Sequence, residues 1–206
     1  MQKTALDRYE EIVVEALRCC SAKLRKSFQA AFIQTMILYM VLPRKINFTQ
    51  MERYSESCGQ RFRQLYERDF DWMEFNTQLM RRRLGSGLRK AVAIDASYIS
   101  KAGKKTPYIG KFWSGSAGAM KRGLEILGIG IVDVDMRDCM MLRAVQTPDK
   151  TALQDKGEDY NLADWYLDVL REHRERLLAI TRYVVADAWF SKARGLSRNC
   201  ATWGFI

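Results

Sequence analysis

Histidine is nearly absent from this sequence, which narrows the chemistry open to the chain. The single histidine, His173, lies between Glu172 and Arg174 in a polar stretch. Zinc sites are usually built from several His and Cys ligands, and nucleophilic catalysis by Ser or Cys needs a nearby base. One histidine supports neither arrangement, so the acidic residues are the better candidates for catalytic groups.

Long apolar runs and paired cysteines are also missing. The longest apolar stretch, residues 30–42, contains Gln34 and Thr35 and is too short to span a bilayer. The first residues lack the basic-then-apolar layout of a signal peptide. The five cysteines form no Cys-x-x-Cys pair, which favours reduced thiols. These features predict a cytoplasmic protein with no membrane partner.

Positive charge is in excess. The chain carries 34 Lys and Arg against 24 Asp and Glu, a formal net charge of +10. Residues 1–90 hold 17 cations and 10 anions, and residues 91–206 hold 17 and 14. This balance favours a polyanionic partner, with DNA or RNA ahead of a membrane surface.

The apolar pattern changes near residue 85 and predicts two domains. Residues 1–85 carry apolar side chains at spacings of three and four, which is typical of helices. We expect helices at 4–24, 26–41, 49–54, 60–68 and 72–83, with Pro43 ending the second. The run Leu84-Gly85-Ser86-Gly87 predicts a hinge.

Residues 88–206 switch to strand-like runs. Strands are expected at 91–95, 124–134, 139–145 and 182–187, with a helix at 159–180, a short helix at 190–200 and a further strand starting at 203. Three meandering strands followed by a helical crossover is the ribonuclease-H-like order, and it places the fourth strand parallel beside the first. The predicted fold class is therefore α/β, a helical N-terminal domain followed by a partial ribonuclease-H-like mixed sheet with flanking helices.

Asp95 and Asp187 each close one of these apolar runs. A carboxylate at the end of a buried strand is costly to bury alone, and neighbouring strands lie only about 4.8 Å apart. Two such ends can share a divalent cation, and Mg²⁺ prefers oxygen ligands of this kind. The alternative is that each Asp caps a following helix or turn, which suits Asp187 before Ala188 and Trp189.

A basic, glycine-rich segment follows Asp95. No acid occurs from Ala96 to Leu124, while this stretch holds Lys101, Lys104, Lys105, Lys111, Lys121 and Arg122. Exposed cations contact phosphates and aromatic rings stack on unpaired bases, so the segment is a candidate DNA contact. The alternative is a solvated loop with a few core aromatics, among which we expect Trp113 to be buried.

A helix-turn-helix is a second candidate DNA contact. Asn47 begins one short helix, Ser57-Cys58-Gly59 forms a turn, and residues 60–68 form the next helix. In this arrangement Arg61 and Arg63 would face DNA. A plain helical bundle explains the same pattern and stays open as the alternative.

Several segments together resemble the DDE-type transposases of bacterial insertion sequences. They are Ala93-Ile94-Asp95-Ala96-Ser97-Tyr98-Ile99-Ser100-Lys101, Phe112-Trp113-Ser114-Gly115, Gly123-Leu124-Glu125, Ala144-Val145-Gln146-Thr147-Pro148 and Val185-Ala186-Asp187-Ala188-Trp189-Phe190-Ser191-Lys192. The resemblance implies a ribonuclease-H-like core that cleaves and joins DNA with Mg²⁺ or Mn²⁺. Asp95 would bind both metal ions and Asp187 one. It also implies double-stranded DNA as partner, both element ends and target, in the nucleoid of a bacterial cytoplasm.

The sequence departs from that family in one respect. The family's third acid, a glutamate, lies beyond the strand that follows the second aspartate, and residues 188–206 contain no Asp or Glu. We therefore expect a C-terminally truncated transposase that holds at most one ion weakly and cleaves DNA negligibly. The alternative is a non-catalytic DNA-binding remnant that occupies element ends, forms a homodimer, or pairs with and inhibits a full-length transposase. A third hypothesis is a metal-dependent nuclease in which an acid of the crossover helix completes the metal site.

Overall fold

The computed structural model describes residues 3–43, 46–84, 89–103, 105–188, 190 and 196–206. The chain divides into two compact units, Met1–Arg83 and Leu84–Ile206. Residues 85–88, which contain most of the predicted hinge, lie outside the described residues. Within the described ranges, no helix is both long enough and apolar enough to cross a membrane.

The five predicted helices of the first part are confirmed, and most of their ends lie within a few residues of the predicted ends. They are α1 (Ala5–Arg18), α2 (Lys26–Val41), α3 (Phe48–Arg53), α4 (Gly59–Tyr66) and α5 (Trp72–Leu84). Helix α1 was expected to reach residue 24 but ends at Arg18. Thr4 starts α1 through a reciprocal capping box with Asp7, and Asn47 caps α3 by accepting a hydrogen bond from the Gln50 backbone N–H. These caps satisfy amide groups that have no partner within the helix.

Apolar side chains hold the helical unit together in two clusters. The larger joins α1, α2 and α5 through buried residues that include Val13, Leu17, Phe32 and Phe75. The smaller joins the end of α2 to α3 and α4 through Leu38, Leu42, Met51 and Phe62. Burying such side chains stabilises a fold by about 1.5–3 kcal/mol each before the entropy cost of ordering is counted.

The second unit is built on a mixed sheet. Its described elements are β1 (Lys90–Ser100), β2 (Gly110–Ser114), β3 (Ala119–Asp133), β4 (Asp138–Gln146), α6 (Lys150–Gln154), α7 (Leu162–Leu178), β5 (Val184–Ala186) and α8 (Leu196–Thr202). Strand β3 pairs antiparallel with β1, with β2 and with β4, whereas β5 pairs parallel with β1. The described part of the chain is thus a mixed α/β protein with a five-stranded mixed sheet.

One face of β3 forms the core of this sheet. From Gly123 to Asp133 every second residue is buried, and Leu127, Ile129 and Ile131 have no exposed surface. Tyr166 of α7 donates a hydrogen bond to Glu125 on this face, so α7 lies against it. The predicted crossover helix and the predicted β3–β4 hairpin, turning at residues 134–137, are both confirmed.

The predicted end of the first strand at Asp95 is wrong. Strand β1 continues to Ser100 because it pairs with β3 along its whole length, from Ser100↔Gly123 to Lys90↔Asp133. The expected loop after Asp95 also contains a strand, β2. The extension of β1 and the strand β2 were missed because many of their residues are polar or exposed, so no clear apolar alternation marks them in the sequence.

Gly123 is a residue of β3 that pairs with two strands at once. It pairs with Ser100 of β1 and with Gly110 of β2. A Cβ atom added at Gly123 would lie 2.4 Å from the backbone oxygen of Ile99. Only glycine fits this approach, which lets the β2–β3 hairpin start directly beside the end of β1.

The last residue of the chain lies beside β5. The Ile206 N–H donates to the Arg182 carbonyl at 2.7 Å, and the Val184 N–H donates to the Ile206 carbonyl at 3.0 Å. This two-bond pattern is that of a parallel pair. The sequence predicted a strand starting at Trp203, and the structure shows pairing at its end, with Phe205 buried.

Candidate functional site

Asp95 and Asp187 lie on adjacent parallel strands. The register of β1 with β5 runs Val92↔Val184, Ala93↔Val185 and Ile94↔Ala186. Continuing it by one residue places Asp187 opposite Asp95. Both side chains are exposed. Asp95 therefore lies at the middle of β1, directly after the end of its parallel pairing, and Asp187 follows β5 directly.

Both aspartates line one cavity of about 610 Å³. Residues of β2, β3, α6 and α7 also line the cavity. Because Asp95 and Asp187 come directly after the last parallel pair, the cavity lies where the parallel pairing ends. Its lining comprises Asp95, Ala96, Lys111, Phe112, Trp113, Met120, Glu125, Pro148, Lys150, Leu153, Leu162, Asp187 and Phe190. Open α/β sheets bind ligands at the carboxyl ends of strands, which is the position of this cavity.

The cavity contains a third acid, Glu125, that the sequence analysis did not select as a site residue. Glu125 is only 6% exposed, and its carboxylate accepts a hydrogen bond from the Tyr166 hydroxyl at 2.6 Å. The signal was available, because Glu125 stands in the same two-residue phase as the buried Leu127 and Ile129. A charged residue in the inward phase of a strand needs a partner and is a candidate for a structural or functional role.

Tyr166 is held in its protonated form. Burial, the hydrogen bond to Glu125 and the negative charges of Glu125 and Asp95 all raise the pKa of Tyr166 far above its ordinary value of 10.0. The hydroxyl therefore keeps its proton at neutral pH and donates it in the hydrogen bond to Glu125. The influence of Asp95 on this pKa also shows that Asp95 is electrostatically close to the Glu125–Tyr166 pair.

Among the described residues, no group of three or more His, Cys, Asp or Glu side chains is arranged to hold a metal ion. Glu125 is engaged by Tyr166, while Asp95 and Asp187 are the exposed carboxylates of the cavity. The chemistry available to the arrangement is therefore that of a carboxylate pair, which can bind one hard cation together with water or phosphate oxygens.

The predicted acids of the crossover helix do not line the cavity in the described part of the chain. Asp164 completes the capping box that starts α7. Asp168 accepts a hydrogen bond from Tyr160 and pairs with Arg171. Asp133 accepts two backbone N–H bonds in the β3–β4 turn and Asp135 pairs with Arg89, so both acids have structural partners there.

Three of the six predicted basic contacts of this segment lie on the β2–β3 hairpin. Lys111 and Arg122 are opposite each other in its register, Lys121 pairs with Phe112, and all three cations are exposed. Lys101 and Lys105 are exposed in the loop after β1, and Lys104 lies outside the described residues.

The expectation that Trp113 is buried is wrong. Trp113 is 59% exposed and stands opposite Met120, which is 57% exposed. Cross-strand partners project from the same face, and the pair Lys111–Arg122 projects from the same face two residues away. The hairpin thus presents an indole and two cations together, on the side of the sheet that carries Asp95.

Arg61 and Arg63 are exposed on α4, which follows α3 after a short connection as predicted. Arg63 lies over the Phe48 ring at 5.6 Å, a cation–π contact that ties α4 to α3. Arg61 lines a cavity beside Gln64 and Arg68. The helix pair fits both alternatives, a helix-turn-helix and a plain bundle.

Comparisons with known proteins add no identification. No protein-family model matches the chain, and no curated protein shows significant sequence similarity to it.

Removing the Tyr166 hydroxyl should destabilise the sheet unit. Tyr166→Phe leaves the buried Glu125 carboxylate without this donor, which costs about 1–3 kcal/mol in the free energy of unfolding. Tyr160→Phe is the matched control, because its partner Asp168 is also paired with Arg171, and we expect it to cost less than about 1 kcal/mol. Urea denaturation of the three proteins measures both values. Equal losses in the two variants would show that Glu125 does not depend on Tyr166.

Proposed function

We propose that this protein is a DDE-type DNA transposase, in which Asp95 and Asp187 are the first two metal ligands of a DNA-cleaving site. The observation that carries the proposal is the β1–β5 register, which brings the two acids together at one cavity. The neighbouring cations and the net charge of +10 suit a DNA substrate.

The ribonuclease-H-like fold is part of this proposal. Strand β4 is antiparallel to β3, and β3 is antiparallel to β1, so β4, β1 and β5 all run in one direction. The segment containing α6 and α7 carries the chain from β4 on one side of β3 to β5 beside β1. Antiparallel strands joined to a parallel strand by a helical crossover agree with that fold, and the pairing of Ile206 beside β5 continues the sheet in the same sense.

The carboxylates fit a hard divalent cation, Mg²⁺ or Mn²⁺. Both are exposed on neighbouring strands, and their oxygens are the ligands that such ions prefer. A bound ion would supply Lewis-acid polarisation of a phosphate and a lowered pKa of a coordinated hydroxyl group. Asp95 and Asp187 would each contribute a carboxylate oxygen to this ion.

The cationic side chains have a separate task in this proposal. Lys111, Lys121 and Arg122 would bind the phosphates of a DNA strand and hold its end toward Asp95 and Asp187. The exposed Trp113 adds an aromatic face beside them, which suits an unpaired or distorted DNA end. Lys101 and Lys105 would extend the phosphate contact along the loop after β1.

One observation favours the second candidate function, a non-catalytic DNA-binding protein that occupies element ends or pairs with a full-length transposase. Glu125 is buried against Tyr166, which leaves two exposed carboxylates among the described acids of the cavity. Two charges are few for holding two divalent ions against hydration. A protein with the same DNA contacts and an incomplete acid set would bind without cleaving.

Metal binding separates the two candidates. We expect one Mn²⁺ per chain, with Asp95→Asn and Asp187→Asn each weakening its affinity at least about ten-fold, since loss of a ligand should cost no less than loss of a group that orients one. Asp159→Asn is the charge-matched control, because Asp159 is exposed outside the cavity. Titration of free Mn²⁺ by electron paramagnetic resonance measures the affinities. Equal affinities in all four proteins would remove the metal site and leave the non-catalytic candidate.

Salt dependence tests the DNA contact. Replacing Lys111, Lys121 and Arg122 with Ala should lower the slope of log K against log salt by about 2–3, because each phosphate contact releases a counterion. The control variant replaces Arg171, Arg174 and Arg176 with Ala. These residues are exposed on α7, and their replacement removes the same amount of positive charge. Fluorescence anisotropy with a short duplex gives both slopes. Slopes that fall equally in the two triple variants would exclude the hairpin as a specific phosphate contact.

A further inference from the structure

The helical unit contains an open cavity lined mainly by aromatic side chains, which the function proposed above does not use. Its volume is about 360 Å³, within the size range of roughly 300–1,000 Å³ that is typical of ligand sites. We call it the aromatic cavity. Its lining residues are Phe28, Phe32, Thr35, Met36, Tyr39, Leu65, Tyr66, Arg68, Phe70 and Trp72.

Three of these aromatic side chains are exposed around the cavity. Tyr39 is 47% exposed, Tyr66 is 49% exposed and Trp72 is 42% exposed. Contacts between neighbouring side chains hold them in place. The Tyr66 hydroxyl donates a hydrogen bond to Tyr39, and Trp72 meets the Phe70 ring edge-on at a centroid distance of 4.9 Å. The flat walls are therefore preorganised, which reduces the entropy cost of binding a flat ligand.

A second cavity, the arginine cavity, adjoins the first. Its lining residues are Ser27, Phe28, Ala31, Arg61, Gln64, Leu65 and Arg68, and it shares Phe28, Leu65 and Arg68 with the aromatic cavity. Arg61 and Arg68 are both exposed. Among the described residues that line the two cavities there is no aspartate or glutamate, so the charged side chains of the lining are both arginines.

We propose that the two adjoining cavities form a binding site for one unpaired nucleotide of DNA, with the base in the aromatic cavity and its phosphate at Arg61 and Arg68. Aromatic side chains stack on the π-face of any of the four bases. An arginine beside them binds phosphate through the several N–H donors of its planar guanidinium group. An apolar side chain of a protein partner would use the aromatic walls but not the two arginines, so the charge favours the nucleotide.

This inference rests on the proposed DNA partner and adds that the helical unit distinguishes unpaired from paired DNA. A base within a duplex is stacked on its neighbours and cannot enter a cavity. A DNA end with a single-stranded tail offers both the free base and its phosphate. The helical unit would then select frayed or cleaved ends over intact duplex.

The test compares two DNA probes on the full chain, a short blunt duplex and the same duplex with a single-stranded tail containing 2-aminopurine. We expect the tailed duplex to bind about ten-fold tighter, given stacking contributions of roughly 1–3 kcal/mol per base. We also expect quenching of the 2-aminopurine fluorescence on binding. Trp72→Ala should remove most of the preference and the quenching.

The control is Tyr54→Ala, because Tyr54 is 62% exposed in the same unit and lies outside both cavities. It should leave the preference and the quenching unchanged. If Trp72→Ala lowers the helical circular dichroism signal, Tyr39→Ala replaces it as the test variant, because Tyr39 is an exposed residue of the same cavity. Arg68→Gln should lower the preference for the tailed duplex. The tailed duplex that still binds should show the same quenching of 2-aminopurine.

The outcomes separate this inference from the proposed function. Failure to bind either probe would overturn the DNA partner and the nucleotide site together. Equal affinity for both probes, or a preference that survives Trp72→Ala and Tyr39→Ala, would overturn the nucleotide site alone. Loss of self-association in Trp72→Ala, without any quenching in the wild type, would assign the aromatic cavity to a second copy of the chain and also overturn the proposal.

Discussion

The parallel pairing of β1 with β5 is the contact on which the rest of the candidate site depends. Three residue pairs, from Val92↔Val184 to Ile94↔Ala186, fix the register. Because side chains alternate along a strand, a slip by one residue would turn Asp95 and Asp187 to opposite faces. The pairing is short. The Val92 N–H also donates to the Tyr183 carbonyl just before β5, and the hydrogen bonds of Ile206 give this segment a further neighbour.

The buried face of the sheet holds β1 in its own register against β3. Val92 and Ile94 stand opposite Ile131 and Ile129, and a slip of β1 by one residue would turn these buried side chains away from that face. The Glu125–Tyr166 hydrogen bond adds a polar contact of defined geometry within the same interior. A buried polar pair tolerates fewer arrangements than an apolar contact does, since each group must keep its partner. The acid pair is thus positioned by groups that need not touch a substrate.

Apolar periodicity predicted much of the fold. The five helices of the first unit, the crossover helix and the neighbouring placement of β1 and β5 followed from spacing and from topological rules. The extension of β1 to Ser100 and the presence of β2 did not, because those strands are exposed and their pairing is decided by β3, which is distant in sequence. Strand formation in such segments depends on the partner more than on intrinsic preference.

The candidate site was predictable in part. Asp95 and Asp187 were visible because each follows an apolar run. Trp113 was misjudged because a large aromatic side chain is usually mostly buried, whereas here Trp113 and its cross-strand partner Met120 lie on an open face. Glu125 was overlooked because its phase matters only once β3 is known to be inward-facing at odd positions. The cavities of the helical unit arise from side chains on α2, α4 and α5 and on the connection between α4 and α5, and no linear spacing brings those together.

The central claim is that Asp95 and Asp187 share a divalent cation. Crystals soaked in Mn²⁺ and measured at the manganese absorption edge would locate the ion directly. The account predicts one anomalous peak between the two carboxylates, roughly 2.0–2.2 Å from an oxygen of each, as expected for a hard cation of this size. No peak at that position under saturating Mn²⁺, or a peak bound to other residues alone, would contradict it.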